Sequence, residues 1–100
     1  MCIAWLVVVF ALAGALAGCG GAPPVATAGD AARANVQLAD LEHGRTLMIA
    51  KCGGCHRAPM PADHSGRDWP RSLDEMTERA KLDVTQRRLI ELYLVTMAMH

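Results

Sequence analysis

Two cysteines and a histidine stand close together in the run Cys52-Gly53-Gly54-Cys55-His56. C-x-x-C-H is the pattern through which a c-type haem is attached. The two thiols add across the vinyl groups of the porphyrin, and the two-residue spacer lets one helical turn present both sulfurs to the same edge of the macrocycle. The imidazole of His56 then lies under the ring, where it can bind iron as the proximal axial ligand. The motif therefore predicts one covalent haem c held by Cys52, Cys55 and His56.

Two other chemistries use a C-x-x-C pair. A thioredoxin-type redox pair belongs to a βαβ unit, and the chain shows no alternation of strand and helix patterns. A structural zinc site needs a second pair of ligands, whereas the other histidines are scattered singly and the other cysteines lie in or beside an apolar leader. A dithiol or zinc role without haem stays open as an alternative. These remaining residues are His43, His64, His100, Cys2 and Cys19.

Length and composition limit the chain to one small domain. The 100 residues carry 10 Lys+Arg against 10 Asp+Glu, so net charge gives no reason to expect a nucleic acid or an anionic membrane as a partner. Aromatic residues make up 4% of the chain, and Trp5 and Phe10 lie in the leader, which leaves Trp69 and Tyr93 for the folded part. So small a domain buries little surface by itself, and a covalent haem would add apolar surface to its core.

Residues 1–18 form an apolar run without a charged side chain. The run is shorter than the roughly 20 apolar residues of a transmembrane helix and fits a signal peptide. It ends in Leu-Ala-Gly before Cys19, which resembles the lipobox of bacterial lipoprotein precursors. The resemblance implies cleavage before Cys19, a diacylglycerol on its thiol, and anchoring by acyl chains on the periplasmic side of a bacterial membrane. Gly20 after the cysteine implies the outer membrane; an ordinary signal peptide or an uncleaved anchor stays open.

The segment that follows Cys19 is rich in glycine, alanine and proline. Such a composition is typical of a flexible linker. Residues 19–36 are therefore predicted to form a tether, and residues 37–100 to form the folded domain. The residues that mark the tether are Gly20, Gly21, Pro23, Pro24 and Gly29.

Three helices are predicted in the domain, so the predicted fold class is all-α. The first runs from about Ala34 to Cys52 along an apolar stripe. The second starts near Asp68, which can cap its first turn, and its apolar residues recur at spacings of four and three on one face. The third begins at a capping box formed by Asp83 and Gln86. The apolar positions are Val36, Leu38, Leu41, Leu47, Met48 and Ala50, then Trp69, Leu73, Met76 and Ala80, then Leu89, Ile90, Tyr93, Leu94 and Met97.

Gly44 stands eight positions before Cys52, and Ile90-x-x-Tyr93 lies in the last predicted helix. With the C-x-x-C-H motif, these residues resemble class I cytochrome c. In that family the amino-terminal helix carries a glycine at this spacing, where the carboxy-terminal helix crosses it closely. The resemblance covers most of the predicted domain and implies about three helices around one haem. It also implies that Tyr93 and Ile90 pack near Gly44 and Met48.

The second axial ligand of the iron decides between functions. The stretch Trp69-Pro70, followed after five residues by Met76, is similar to a family of short monohaem cytochromes c. In that family the methionine after the tryptophan is the distal ligand, which implies Met76 here. Met60 follows His56 by only four residues, about 14 Å of extended chain, which is marginal for reaching the far face of the ring. The other candidates are His64, Met97, Met99 and His100.

An iron held by histidine and methionine is closed to small molecules and suits electron transfer. We therefore predict an electron carrier and not an enzyme. The carrier would dock transiently with redox partner proteins in the periplasm, alone or as the cytochrome subunit of a redox complex. An open sixth position on the iron would instead favour binding or sensing of a small ligand. The short loop between His56 and the candidate distal ligands supports this alternative. The third hypothesis is a lipoprotein with a thiol or zinc role and no haem.

Overall fold

Helices account for all the regular structure that the computed structural model describes, which covers residues 22–53 and 58–99. Within these ranges the fold is all-α, as predicted. The helices α2, α3 and α4 correspond to the three predicted helices, whereas α1 lies in the segment predicted to be a tether. The elements are α1 (Ala28–Ala34), α2 (Leu38–Cys52), a 3-10 turn (Pro61–Asp63), α3 (Trp69–Ala80) and α4 (Val84–Ala98).

The main packing contact joins α2 and α4. The two helices meet at Gly44, which is buried. A Cβ built on Gly44 would overlap the backbone oxygen of Leu89 and would lie 3.0 Å from the Cβ of Tyr93. Only a glycine therefore lets the two backbones approach this closely, which offsets its cost of about 1 kcal/mol in helix propensity. The expected packing of Tyr93 near Gly44 is confirmed.

The apolar core lies between α2, α3 and α4. On α3, Trp69 and Leu73 are buried while Met76 and Ala80 are half-buried against the same core, which confirms the predicted apolar face. The indole N–H of Trp69 donates to the carbonyl of Pro61 at 3.0 Å and so ties the 3-10 turn to the start of α3. The largest fully buried side chains are Trp69, Tyr93, Leu41, Met48, Leu73, Ile90 and Leu94.

Of the two residues predicted to cap a helix, Asp83 caps α4 and Asp68 does not cap α3. At α4 the backbone N–H of Gln86 donates to the carboxylate of Asp83 at 2.7 Å, and the N–H of Asp83 donates to the Gln86 amide oxygen at 3.1 Å. The predicted capping box is therefore confirmed. Asp68 occupies the N-cap position of α3 without a side-chain cap; its carboxylate accepts from the Ser65 hydroxyl at 2.9 Å.

Residues 22–36 differ from the flexible tether that their composition predicts, and we call them the N-terminal strap. Thr27 and Asp30 form a capping box that starts α1: the N–H of Thr27 donates to the Asp30 carboxylate at 2.8 Å, and the N–H of Asp30 donates to the Thr27 hydroxyl at 3.3 Å. Ala26 and Ala31 are buried in the core. The strap is therefore packed as part of the domain that was predicted to begin at residue 37.

Two long side chains hold the beginning of the strap. The guanidinium of Arg45, on α2, donates to the carbonyl of Pro23 through Nε at 3.0 Å and Nη2 at 2.9 Å. The hydroxyl of Tyr93, on α4, donates to the carbonyl of Pro24 at 2.5 Å. The strap is thus bonded to both helices of the Gly44 crossing.

Among the described residues, no helix has the length and apolar character needed to cross a membrane.

Replacing Gly44 by alanine should lower the free energy of unfolding by about 2 kcal/mol or more, because the added methyl group must push α4 away from α2. Denaturant unfolding of wild type and variant, prepared identically, measures the change. Gly29→Ala is the matched control, since a Cβ there would lie 3.6 Å from the Thr27 hydroxyl, an ordinary contact. Equal stability of Gly44→Ala and wild type would contradict the close crossing.

Replacing Tyr93 by phenylalanine removes the bond to Pro24 and should cost about 1 kcal/mol at neutral pH. Burial raises the pKa of Tyr93 above its ordinary value of 10.0, with the Arg45 guanidinium opposing the rise. Folding therefore favours the protonated phenol, whose contribution is complete below the ordinary pKa and is lost as the pH rises through the raised one. The difference in unfolding free energy between wild type and variant should be constant between about pH 7 and pH 9 and shrink above about pH 10. A difference that stays constant through this alkaline range would contradict the buried phenol.

Candidate haem-attachment site

The first cysteine of the motif is positioned by α2. Cys52 is the last residue of this helix, about 12 Å along its axis from Gly44. Its side chain is half-buried, packs against the apolar core and forms no disulfide. The same helix that crosses α4 therefore fixes where the first thiol lies.

Gly53 ends the helix in a tight turn. Its backbone N–H donates to the carbonyl of Ile49 at 3.1 Å. A Cβ at Gly53 would lie 2.6 Å from that carbonyl oxygen and 3.9 Å from the Cβ of Ala58. The helix end thus has no room for a side chain at Gly53, and the chain beyond the motif returns to the end of α2, where Ala58 packs against the core.

Several predicted site residues lie outside the described residues. These include Cys55 and His56, within residues 54–57, as well as the predicted lipid site at Cys19 and the terminal His100. Their roles stay predictions. The described residues on either side of residues 54–57 are neighbours, since a Cβ built on Gly53 would lie 3.9 Å from the Cβ of Ala58.

Met76 lies on α3 at the border of the core. Its side chain is half-buried, and the hydroxyl of Ser72, one turn earlier, is placed to donate to its sulfur at 4.0 Å. A thioether is a weak acceptor, so this contact is easily exchanged for a metal. The other methionines of the described residues range from fully buried Met48 and buried Met97 through half-buried Met60 to Met99, which is 56% exposed.

His64, another candidate for the distal ligand, is exposed on the surface. Its ring packs edge-on against Trp69, with ring centroids 4.8 Å apart and an angle of 83° between the planes. Among residues 22–53 and 58–99, no three His, Cys, Asp or Glu side chains are grouped to bind a metal ion.

Among the cavities of the described part of the chain, two border α4. The first, which we call the strap groove, has a volume of about 450 Å³ and lies between the strap, residues 60–62 and the end of α4. The second, of about 370 Å³, lies between residues 66–70 and α4. Neither is lined by Cys52 or Met76. The strap groove is lined by Pro24, Val25, Thr27, Asp30, Met60, Pro61, Ala62 and Met97.

The chemistry of the described donors suits a c-type haem. Cys52 offers a thiol at the border of an apolar core, and Met76 offers a thioether at the border of the same core. Ala58, which follows the motif, adds apolar surface there.

Sequence reasoning missed the side chains that hold the strap. Arg45 stands beside Gly44 on α2 without a pattern that marks it, and Tyr93 was predicted only as a core residue. One signal was present, because Thr27-x-x-Asp30 matches the capping-box pattern that opens a helix.

Comparison of the chain with protein-family models, with curated proteins and with solved structures finds no match in any of the three. The resemblance to class I cytochrome c therefore depends on residues of the chain itself: the C-x-x-C-H motif, Gly44, Ile90 and Tyr93.

Burial raises the pKa of the Cys52 thiol above its ordinary value of 9.0. A raised pKa lowers the fraction of reactive thiolate at a given pH. In haem-free protein whose other three cysteines are replaced by serine, Cys52 should react with iodoacetamide more slowly than a cysteine in an unstructured peptide. The rate should increase as the pH is raised.

The same variant unfolded in urea is the control, and it should react at the peptide rate. Equal rates with and without urea would show that Cys52 is not buried in the haem-free chain.

Proposed function

We propose that the chain is a c-type haem protein that carries electrons on the periplasmic side of a bacterial membrane, anchored by lipid on Cys19. The observation that carries the proposal is the C-x-x-C-H motif, which begins at the last residue of α2, just beyond the crossing at Gly44. Cys52 and Cys55 would hold the haem covalently, with His56 on the iron. The haem supplies reversible one-electron chemistry between ferrous and ferric iron.

The placement of Cys52 supports this role. Cys52 ends a helix that packs against α4, so the position of its thiol is fixed. The apolar surroundings of this thiol suit one edge of a macrocycle. Gly53 and Ala58 hold both ends of the intervening segment at the same place.

Met76 is the proposed distal ligand. Its thioether is half-buried at the core border, where it can reach a ligand without opening the core, unlike the fully buried Met48. The Ser72 hydroxyl, 4.0 Å from the sulfur, would help to orient the thioether. A Met/His pair raises the reduction potential and closes the iron to small molecules, which favours electron carriage between transient protein partners.

The proposal is tested first by haem attachment. The chain, produced together with a cytochrome c maturation system, should give a haem-stained band on a denaturing gel. The band should be lost when Cys52 and Cys55 are both replaced by serine, because neither thioether bond can then form. An unstained wild-type band would contradict the proposal and favour the thiol or zinc hypothesis.

The ligand assignment is tested on the same protein by visible spectroscopy. Wild type should be low-spin in both oxidation states, show a thioether-to-iron charge-transfer band when oxidised, and not bind carbon monoxide. Met76→Ala should lose the band and bind the gas. Met97→Leu, a volume-conserving control, should keep the wild-type spectrum.

An unchanged spectrum in Met76→Ala would place the distal ligand elsewhere. A high-spin wild type that responds to carbon monoxide would instead indicate an open iron and a small-ligand binder.

A further inference from the structure

The strap brings the proposed lipid site close to the folded domain. Pro23 is buried, and its carbonyl is held by Arg45, while the next carbonyl, of Pro24, is held by Tyr93. Four peptide links separate Cys19 from Pro23, and four residues of extended chain reach at most about 14 Å. A lipid on Cys19 therefore lies within this distance of the edge of the domain where the strap begins.

The surface at this edge is apolar. The strap groove opens here, and its walls are mainly proline, methionine, valine and alanine side chains. Val25, on the strap, is 65% exposed, and Met99, just beyond the end of α4, is 56% exposed. Exposed apolar side chains next to a lipid anchor gain free energy by entering the membrane interface.

The charge in the lining of the groove is paired within the protein. Asp30 is the charged residue among those that line the groove, and it is only 3% exposed. Its carboxylate accepts from the N–H of Thr27 at 2.8 Å and from the guanidinium of Arg33 at 2.7 Å. Because its negative charge is already paired with Arg33, the lining of the groove is apolar and locally neutral. Beside the groove, the exposed Asp63 carboxylate accepts from the N–H of Met60 at 2.9 Å.

We propose that this edge of the domain, formed by the strap groove with Val25 and Met99, rests on the phospholipid bilayer that holds the Cys19 lipid. The inference rests on the proposed lipid anchor. The short link keeps this edge at a high effective concentration relative to the bilayer. Val84, 85% exposed at the start of α4, lies about 20 Å along the helix axis from Met97 at the groove, so it faces the membrane far less often.

The test uses the lipidated, haem-loaded chain in vesicles of phosphatidylethanolamine and phosphatidylglycerol. The photo-crosslinking residue p-benzoylphenylalanine replaces Val25 or, as the matched control, Val84, which is equally apolar and more exposed. After irradiation, mass spectrometry measures the fraction of protein bonded to phospholipid. The yield should be several-fold higher at Val25. Inserting about twelve Gly/Ser residues between Gly21 and Ala22 should lower the Val25 yield towards that of Val84, because the longer link frees the domain.

Equal lipid yields at Val25 and Val84, or crosslinks from Val25 to a second copy of the chain, would overturn the inference alone. A Val25 yield that the insertion leaves unchanged would overturn the role of the short link. A chain without lipid on Cys19 would overturn the anchor and this inference together. Haem staining of the same samples reports separately on the electron-carrier proposal.

Discussion

At Gly44 the backbone of α2 lies against the backbone of α4 with no side chain between them. The contact matters beyond its own free energy because each of the two helices carries other parts of the structure. Eight residues beyond the crossing, α2 ends at Cys52. Tyr93, whose Cβ lies beside Gly44, spans from the crossing to the strap and places its hydroxyl on Pro24. One backbone contact thus sets the position of the first thiol and of the beginning of the strap.

Tyr93 combines two roles that are usually separate. Its ring is fully excluded from solvent, and a buried phenol needs a partner for its hydroxyl. The partner here is a carbonyl of the strap, so the polar requirement of a core residue is met by docking a segment 69 residues away in the sequence. Arg45, next to Gly44 on α2, adds two bonds to the preceding carbonyl. The core and the strap therefore stabilise one another.

Local chemistry explains which features could be predicted from the sequence. The apolar periodicity of α3 and the Asp83–Gln86 box depend on neighbours within four residues, and both are found as expected. Gly44 was recognisable from its spacing to Cys52. The strap was not, because a seven-residue helix has little stability by itself and is held by distant side chains. The five residues of the C-x-x-C-H motif are enough to predict its chemistry. Which methionine borders the same core as Cys52 depends on how α3 packs, and the sequence does not give that packing.

The sequence separations at the strap set an order of events during synthesis. Pro23 and Pro24 leave the ribosome early, but their partners follow 22 and 69 residues later. Contacts between such distant residues form only after the intervening chain exists and its loop has closed. The strap can therefore dock only once α4 has been made. Until then residues 22–36 have no folded body to dock on, and a protease has its widest access to the strap in that interval.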